Sequence, residues 1–147
     1  MSIEITRLHS MDRPRWADLW RAYLAFYETA LPDAQFEETW ARVLQDTALH
    51  GLAARRDGHI IGITHFLFHA SAWTMTPVCY LQDLYVDEAV RGSGAGRALI
   101  EAVADRARAQ ASTRLYWLTQ AGNATARLLY DRMTKEAGFI RYDYKLE

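Results

Sequence analysis

Residues 80–97 read Tyr80-Leu81-Gln82-Asp83-Leu84-Tyr85-Val86-Asp87-Glu88-Ala89-Val90-Arg91-Gly92-Ser93-Gly94-Ala95-Gly96-Arg97. A run of strand character feeds a turn of alternating glycines, and the glycines open a segment with helical periodicity. The first amides of a helix have no intrahelical partners, and with the helix dipole they favour an anion such as phosphate. Glycines let the backbone approach that anion without a Cβ in the way. Arg91 and Arg97 add fixed charge in a fork that suits phosphate oxygens. A nucleoside-triphosphate loop would need Lys and then Ser or Thr after the last glycine, but Arg97 and Ala98 follow Gly96. A dinucleotide fingerprint would put its third glycine where Arg97 stands, and would normally follow a first strand, not a fourth. A helix start without a ligand is the remaining alternative, and the glycines behind an arginine in a strand–turn–helix setting favour the anion site over it.

Upstream, Ile3, Ile5 and Leu8 alternate as a short strand. Asp12 is expected to cap a helix that has Pro14 in its first turn and Trp16, Leu19, Trp20, Tyr23, Leu24 and Tyr27 at three- and four-residue spacing. A second helix is expected over 34–45. The period then changes to strands at 49–56 and 60–69, joined by Asp57-Gly58, a two-residue hairpin signal. A loop with Trp73 leads to a strand at 78–86. Beyond the glycines come a helix over 94–111, a strand at 114–119, and a helix from Asn123 to Ala137 that Gly138 stops. A last strand is expected over 139–144. Hairpin-joined strands combined with one strand–helix–strand crossover predict an α/β (α+β) fold with a mixed, mostly antiparallel central sheet flanked by helices.

Composition narrows the function classes. The chain has 147 residues, the length of one domain, and no internal repeat or linker is visible, so 1–147 reads as a single domain. A formal net charge of −1 gives no bulk field toward nucleic acid or an anionic membrane. The N-terminus lacks the apolar core of a signal peptide, and no stretch approaches the roughly 20 apolar residues of a membrane span. Cys79 is the only cysteine, which excludes an internal disulfide and fits a reducing cytoplasm. Inside an apolar run it reads as a small core residue. His65 and His69 share a strand face but stand too far apart to chelate easily, so no metal is expected.

Arg91, Gly94 and Gly96 match the pyrophosphate motif of the GNAT superfamily of acetyl-CoA-dependent N-acetyltransferases, and the order of elements resembles that fold over nearly the whole chain. The C-terminal part adds Asn123 at the start of a helix, Tyr130 seven residues on, and Gly138-Phe139 after it. The stretch 116–142 is most similar to the subgroup related to yeast histone, polyamine and D-amino-acid acetyltransferases. The resemblance implies acetyl-CoA as cofactor, its pyrophosphate on the loop Arg91, Gly92, Ser93, Gly94, Ala95, Gly96 and Arg97, and its arm along the backbone of Leu84, Tyr85 and Val86. An amide there would polarise the thioester carbonyl. It further implies that Asn123 contacts the cofactor arm, that Tyr130 lies near the sulfur, and that the chain forms a homodimer, several members exchanging C-terminal strands.

The chemistry asks for a proton donor and a proton acceptor. Transfer by direct attack in a ternary complex expels a thiolate, and a phenol with a reference pKa near ~10 can protonate it. Tyr130 fits that role, although its spacing with Ala126, Leu129, Met133 and Ala137 equally describes a packed stripe. The attacking amine must be neutral. Asp83, Glu28, His65 and water chains are the candidate proton acceptors, and Asp83 shares a strand face with Tyr85. Tyr27, Glu28, His65 and Trp73 are candidates for the acceptor pocket, where nearby acidic residues suit a cationic small-molecule amine or a basic peptide. Protein lysine or N-terminal acetylation, and a non-catalytic acyl-CoA-binding module, are the alternatives.

Overall fold

A computed structural model of the chain describes residues 2–146. It runs β1 (Glu4–Arg7), α1 (Arg13–Phe26), α2 (Asp33–Gln45), β2 (His50–Arg56), β3 (His59–His69), β4 (Val78–Val86), α3 (Ala95–Ala109), β5 (Leu115–Tyr116) and α4 (Ala124–Met133). The chain divides into two compact units, one up to Trp117 and one from Leu118 on.

In the first unit the strands lie in the order β1-β2-β3-β4-β5. β1 to β4 pair antiparallel, and β5 joins β4 parallel at Cys79↔Leu115 and Tyr80↔Tyr116. The sheet is thus mixed and mostly antiparallel, as the element order predicts. Asp57 (φ 53°) and Gly58 (φ 80°) turn the β2–β3 hairpin in the left-handed region that a tight two-residue turn requires.

Alternation along β3 sends side chains to opposite faces. Ile63 belongs to a core with Trp16, Leu19 and Trp20 of α1 and Phe36, Trp40 and Val43 of α2. On the other face Gly62 lies against α3, where an added Cβ would stand 3.3 Å from Leu99. Leu99 and Val103 of α3 are fully buried, and each such side chain contributes about 1.5–3 kcal/mol by leaving water. Trp16 is the centre of the aromatic cluster, with ring centroids 5.3 Å from Trp20, 4.8 Å from Trp40 and 6.1 Å from Phe36.

Several local expectations are corrected. Asp12 occupies the N-cap position of α1 as expected, but its side chain makes no cap hydrogen bond there. Its carboxylate instead accepts from the His9 amide at 2.7 Å and pairs with Arg55 at 2.6 Å, a stronger charge-assisted partner than a helix amide. The strand expected over 114–119 pairs only at Leu115–Tyr116.

In the second unit, Asn123 caps α4, its side chain accepting from the Ala126 amide at 3.4 Å. α4 ends at Met133, because Thr134 is already extended (φ −160°), and Gly138 (φ 82°) turns the chain beyond that end rather than stopping the helix. No strand forms over 139–146. Ile140, Tyr142, Tyr144 and Leu146 alternate with polar residues and stay exposed. The period is that of a strand, but a strand needs an edge to pair with.

Candidate active site

The glycine loop starts from a fixed base. After β4 the Asp87 amide donates to the Ile61 carbonyl at 2.8 Å. The Asp87 carboxylate takes the Arg15 guanidinium at 2.7 Å and the Ala89 amide at 3.0 Å. Arg15 also donates to the Ile60 carbonyl at 3.0 Å, so β3, β4 and α1 are tied together where the loop departs. The Arg15 hydrogen bond, with the Ala89 amide, holds the Asp87 carboxyl below its ordinary range.

Beyond a 3-10 turn the backbone takes positive φ at Gly92 (83°) and Gly94 (89°), and α3 begins at Ala95. Among the described residues no side chain caps this helix start, and its first turn carries no acidic residue. The first helical hydrogen bond runs from the Ala98 amide to the Gly94 carbonyl at 3.0 Å, which leaves the preceding amides directed out of the helix end. Ser93 adds a buried hydroxyl with no hydrogen-bond partner among the described residues. A Cβ built at Gly92 or Gly94 meets nothing within 4 Å. Open amides, an orphaned hydroxyl and clear space fit a pyrophosphate group. Arg91 folds back, donating to the Val86 carbonyl at 3.2 Å with its guanidinium 5.4 Å from the Tyr85 ring centre. Arg97 pairs with Glu101 at 3.1 Å on the exposed face of α3.

β4 has a free flank next to this loop. Its pairing with β5 stops at Tyr80, so on that side Leu81 to Val86 have no strand partner among the described residues. Toward β3 the register slips: His65 opposes Asp83, Phe66 opposes Leu81, and Gln82 is the extra residue of a bulge. A bulge twists its strand and re-aims the side chains that follow. Asp83 lands opposite His65, and its carboxylate lies 2.8 Å from His65 Nδ1. The Tyr85 ring stands 6.3 Å from Tyr23 of α1 and makes an edge contact with it. Tyr23 in turn packs against Tyr27 at 5.1 Å.

Of the predicted site residues, Asp83 and His65 are therefore in direct contact, and Tyr27 reaches Tyr85 through Tyr23. Glu28 follows α1 with φ 56°, a left-handed conformation that non-glycine residues adopt rarely, and Trp73 stands 84% exposed in the β3–β4 loop. Neither of these two makes a side-chain hydrogen bond to Asp83 or His65 among the described residues. In the second unit, the Asn123 amide group also donates to Thr119 at 3.3 Å, and Tyr130 sits half-buried in the last turns of α4. Cys79 is fully buried, and burial pushes its thiol up to about 11, which keeps it protonated and removes it as a nucleophile. The Gln82 bulge and the α1 partner of His65, the Trp16 indole 2.8 Å from Nε2, carry no local sequence signal.

No group of three or more His, Cys, Asp or Glu that could hold a metal ion occurs among the described residues, and none of their helices is long and apolar enough to cross a membrane.

Comparison with known proteins places this arrangement. Residues 16–134 match the profile described as Acetyltransferase (GNAT) family. The D-amino-acid N-acetyltransferase HPA3 of Saccharomyces cerevisiae is 34% identical over 143 residues, covering 95% of this chain and 89% of its own. The ribosomal-protein-alanine N-acetyltransferase of Brucella melitensis biovar Abortus 2308 is similar in structure at a TM-score of 0.83 and 27% identity, covering 99% of this chain and all (100%) of its own. AAC(6')-Iy, solved with a bisubstrate analogue, shares the fold at a TM-score of 0.86 and 18% identity, covering 100% of this chain and 99% of its own. The chain belongs to the GNAT acetyltransferase family and is an acetyl-CoA-dependent N-acetyltransferase.

Proposed function

We propose that the chain moves acetyl from acetyl-CoA to a primary amine by direct attack in a ternary complex. The observation that carries this reading is the continuity of one stretch: the Asp83 carboxylate, the unpaired flank of β4 and the uncapped start of α3 follow one another between residues 83 and 96. Acetyl-CoA supplies a thioester whose carbonyl carbon accepts the amine. The amides of residues 92–97 and the Ser93 hydroxyl bind its pyrophosphate, with Arg91 and Arg97 adding charge. The backbone of Leu84, Tyr85 and Val86 pairs with its arm, and one of those amides is aimed at the carbonyl oxygen. Asp83 takes a proton from the acceptor's ammonium group, with Glu28, Tyr27 and Trp73 on the acceptor side. Asn123 contacts the cofactor arm. Tyr130 gives its phenolic proton to the departing sulfur and is restored by the proton that the attacking nitrogen loses as the amide forms. In this reading 1–147 is a single N-acetyltransferase domain, in a reducing compartment such as the cytoplasm.

The acceptor class follows from the same residues. Asp83 and Glu28 suit a cation, and identity to a yeast enzyme named for D-amino acids makes these, with polyamines, the first small amines to test. Basic peptides form the second class, since a structural relative at 27% identity is named for a ribosomal protein. A crystal structure with CoA tests the donor side: the pyrophosphate is expected against the amides of residues 92–97, and a pyrophosphate bound elsewhere overturns the assignment.

The alternating apolar side chains of 140–146 support a homodimer in which this segment finds a strand partner on a second copy. Sedimentation is expected to give a dimer, and Ile140→Glu with Tyr142→Glu a monomer. A monomeric wild-type chain at high concentration refutes the dimer.

A further inference from the structure

Behind Asp83 lies a chain of two hydrogen bonds that runs into the core. The indole N–H of Trp16 stands 2.8 Å from His65 Nε2, and His65 Nδ1 stands 2.8 Å from Asp83 Oδ2. An indole nitrogen donates and never accepts. Nε2 of His65 therefore accepts and carries no proton, so the ring's proton is on Nδ1 and is donated to the carboxylate. The tautomer is set by its neighbours. Trp16 is 0% and His65 1% exposed, whereas the Asp83 side chain is 17% exposed. The chain thus begins in the buried aromatic cluster, with Trp16 stacked on Trp20, tilted against Trp40 and edge-on to Phe36, and ends at the one member that solvent reaches. Register contributes as well: the Gln82 bulge is what sets Asp83 opposite His65.

We propose that His65 is a positioning residue for acetyl transfer. Trp16 holds it in the Nδ1–H tautomer, and it holds Oδ2 of Asp83 so that Oδ1 faces the acceptor's ammonium group. This rests on the reading of Asp83 as the group that takes the acceptor's proton. One proton passes from the ammonium nitrogen to Oδ1, leaving a neutral amine, and later leaves Oδ1 for water. No proton moves along the His65–Trp16 chain, because Nε2 already holds the indole hydrogen bond. His65 is a brace behind the base rather than the base, and with both ring nitrogens engaged it does not touch the acceptor.

Steady-state kinetics of purified variants with a saturating donor test this. His65→Leu is expected to lower kcat/KM for the amine on the order of 10- to 100-fold, the loss that misplacing a reacting group by about an ångström brings, with the KM for acetyl-CoA held within about twofold. His65→Asn keeps an N–H near the Nδ1 position and is expected to recover most of the loss. Trp16→Phe keeps the ring packing, removes the donor, and is expected to fall between the two. The decisive readout is the double variant: combined with Asp83→Asn, His65→Leu is expected to cost nothing further, because it acts through Asp83. A full His65→Leu penalty in the Asp83→Asn background, or a wild-type kcat/KM in His65→Leu while Asp83→Asn is impaired, overturns the positioning role and leaves Asp83 as base. Wild-type turnover in Asp83→Asn removes the base assignment itself. If His65→Leu does not fold, the same comparison is made with Trp16→Phe, and there a wild-type kcat/KM overturns the proposal.

Discussion

Arg15 and Asp87 lie 72 residues apart in sequence and meet at 2.7 Å, joining the first turn of α1 to the residue from which the glycine loop departs. The pair is partly exposed, so its net worth is about 1 kcal/mol or less. Its larger effect is geometric. Arg15→Met is expected to leave the fold intact, lower Tm by a few degrees at most, and raise the KM for acetyl-CoA severalfold by loosening the base of the loop. Donor kinetics on the variant check this, and an unchanged KM places the clamp outside cofactor binding.

Among the described residues, Asp12, Asp46 and Asp87 have carboxyls held low in the folded chain. Burial works against Asp12 and Asp46, but hydrogen bonds and charge from Arg55 and His9 lower the first, and from His50 and Arg106 the second. The Arg15 hydrogen bond leads for Asp87. A carboxyl whose folded pKa is depressed binds protons more readily when unfolded. It therefore contributes stability above the unfolded value, near ~3.9, and loses it as pH falls through the folded value. Thermal unfolding is expected to show a near-constant Tm from about pH 7 to 5 and a steep fall below about pH 4. Asp12→Asn with Asp46→Asn is expected to be less stable at pH 7 and to have a flatter acid limb. An acid limb of unchanged steepness contradicts the assignment.

Gly94→Ala separates ligand contact from stability. At φ 89° an alanine is strained by about 1–2 kcal/mol, yet beyond its chain neighbours its methyl group meets nothing within 4 Å among the described residues. The variant is expected to fold and to raise the KM for acetyl-CoA about tenfold or more, as losing about 1.4 kcal/mol of binding does. With S-acetylpantetheine, which has no pyrophosphate, the change is expected to disappear. An equal loss with both donors refutes a pyrophosphate contact at this glycine.

Tyr130→Phe is expected to lower kcat on the order of 100-fold with little loss of cofactor affinity, as removing a general acid does. Unchanged turnover returns Tyr130 to a packing role.

The elements around the loop were legible because their signals are local. Asp57-Gly58 adopts the positive φ angles its turn demands, and Gly92 and Gly94 do the same before α3. Trp16, Leu19 and Trp20 of the α1 stripe are buried and Tyr23 and Leu24 pack against them, as their spacing requires. The misreadings involve partners. Asp12 holds the N-cap position, but Arg55, 43 residues on, takes its carboxylate in place of a helix amide. Residues 139–144 have a strand's period, which says nothing about where an edge is available. The acceptor side was legible only as candidates: Asp83 and His65 were both visible, but their contact depends on one extra residue in β4, and the tautomer of His65 depends on an indole 49 residues away. Neither dependence leaves a pattern in a single sequence.

The most direct measurement is CoA release from acetyl-CoA, followed across D-amino acids, polyamines and basic peptides, with the acetylated product identified by mass. Amine-dependent release that yields an N-acetyl product with at least one of these classes, and that Asp83→Asn reduces strongly, is the predicted result. Tight acetyl-CoA binding with no amine-dependent release from any of them would contradict the account.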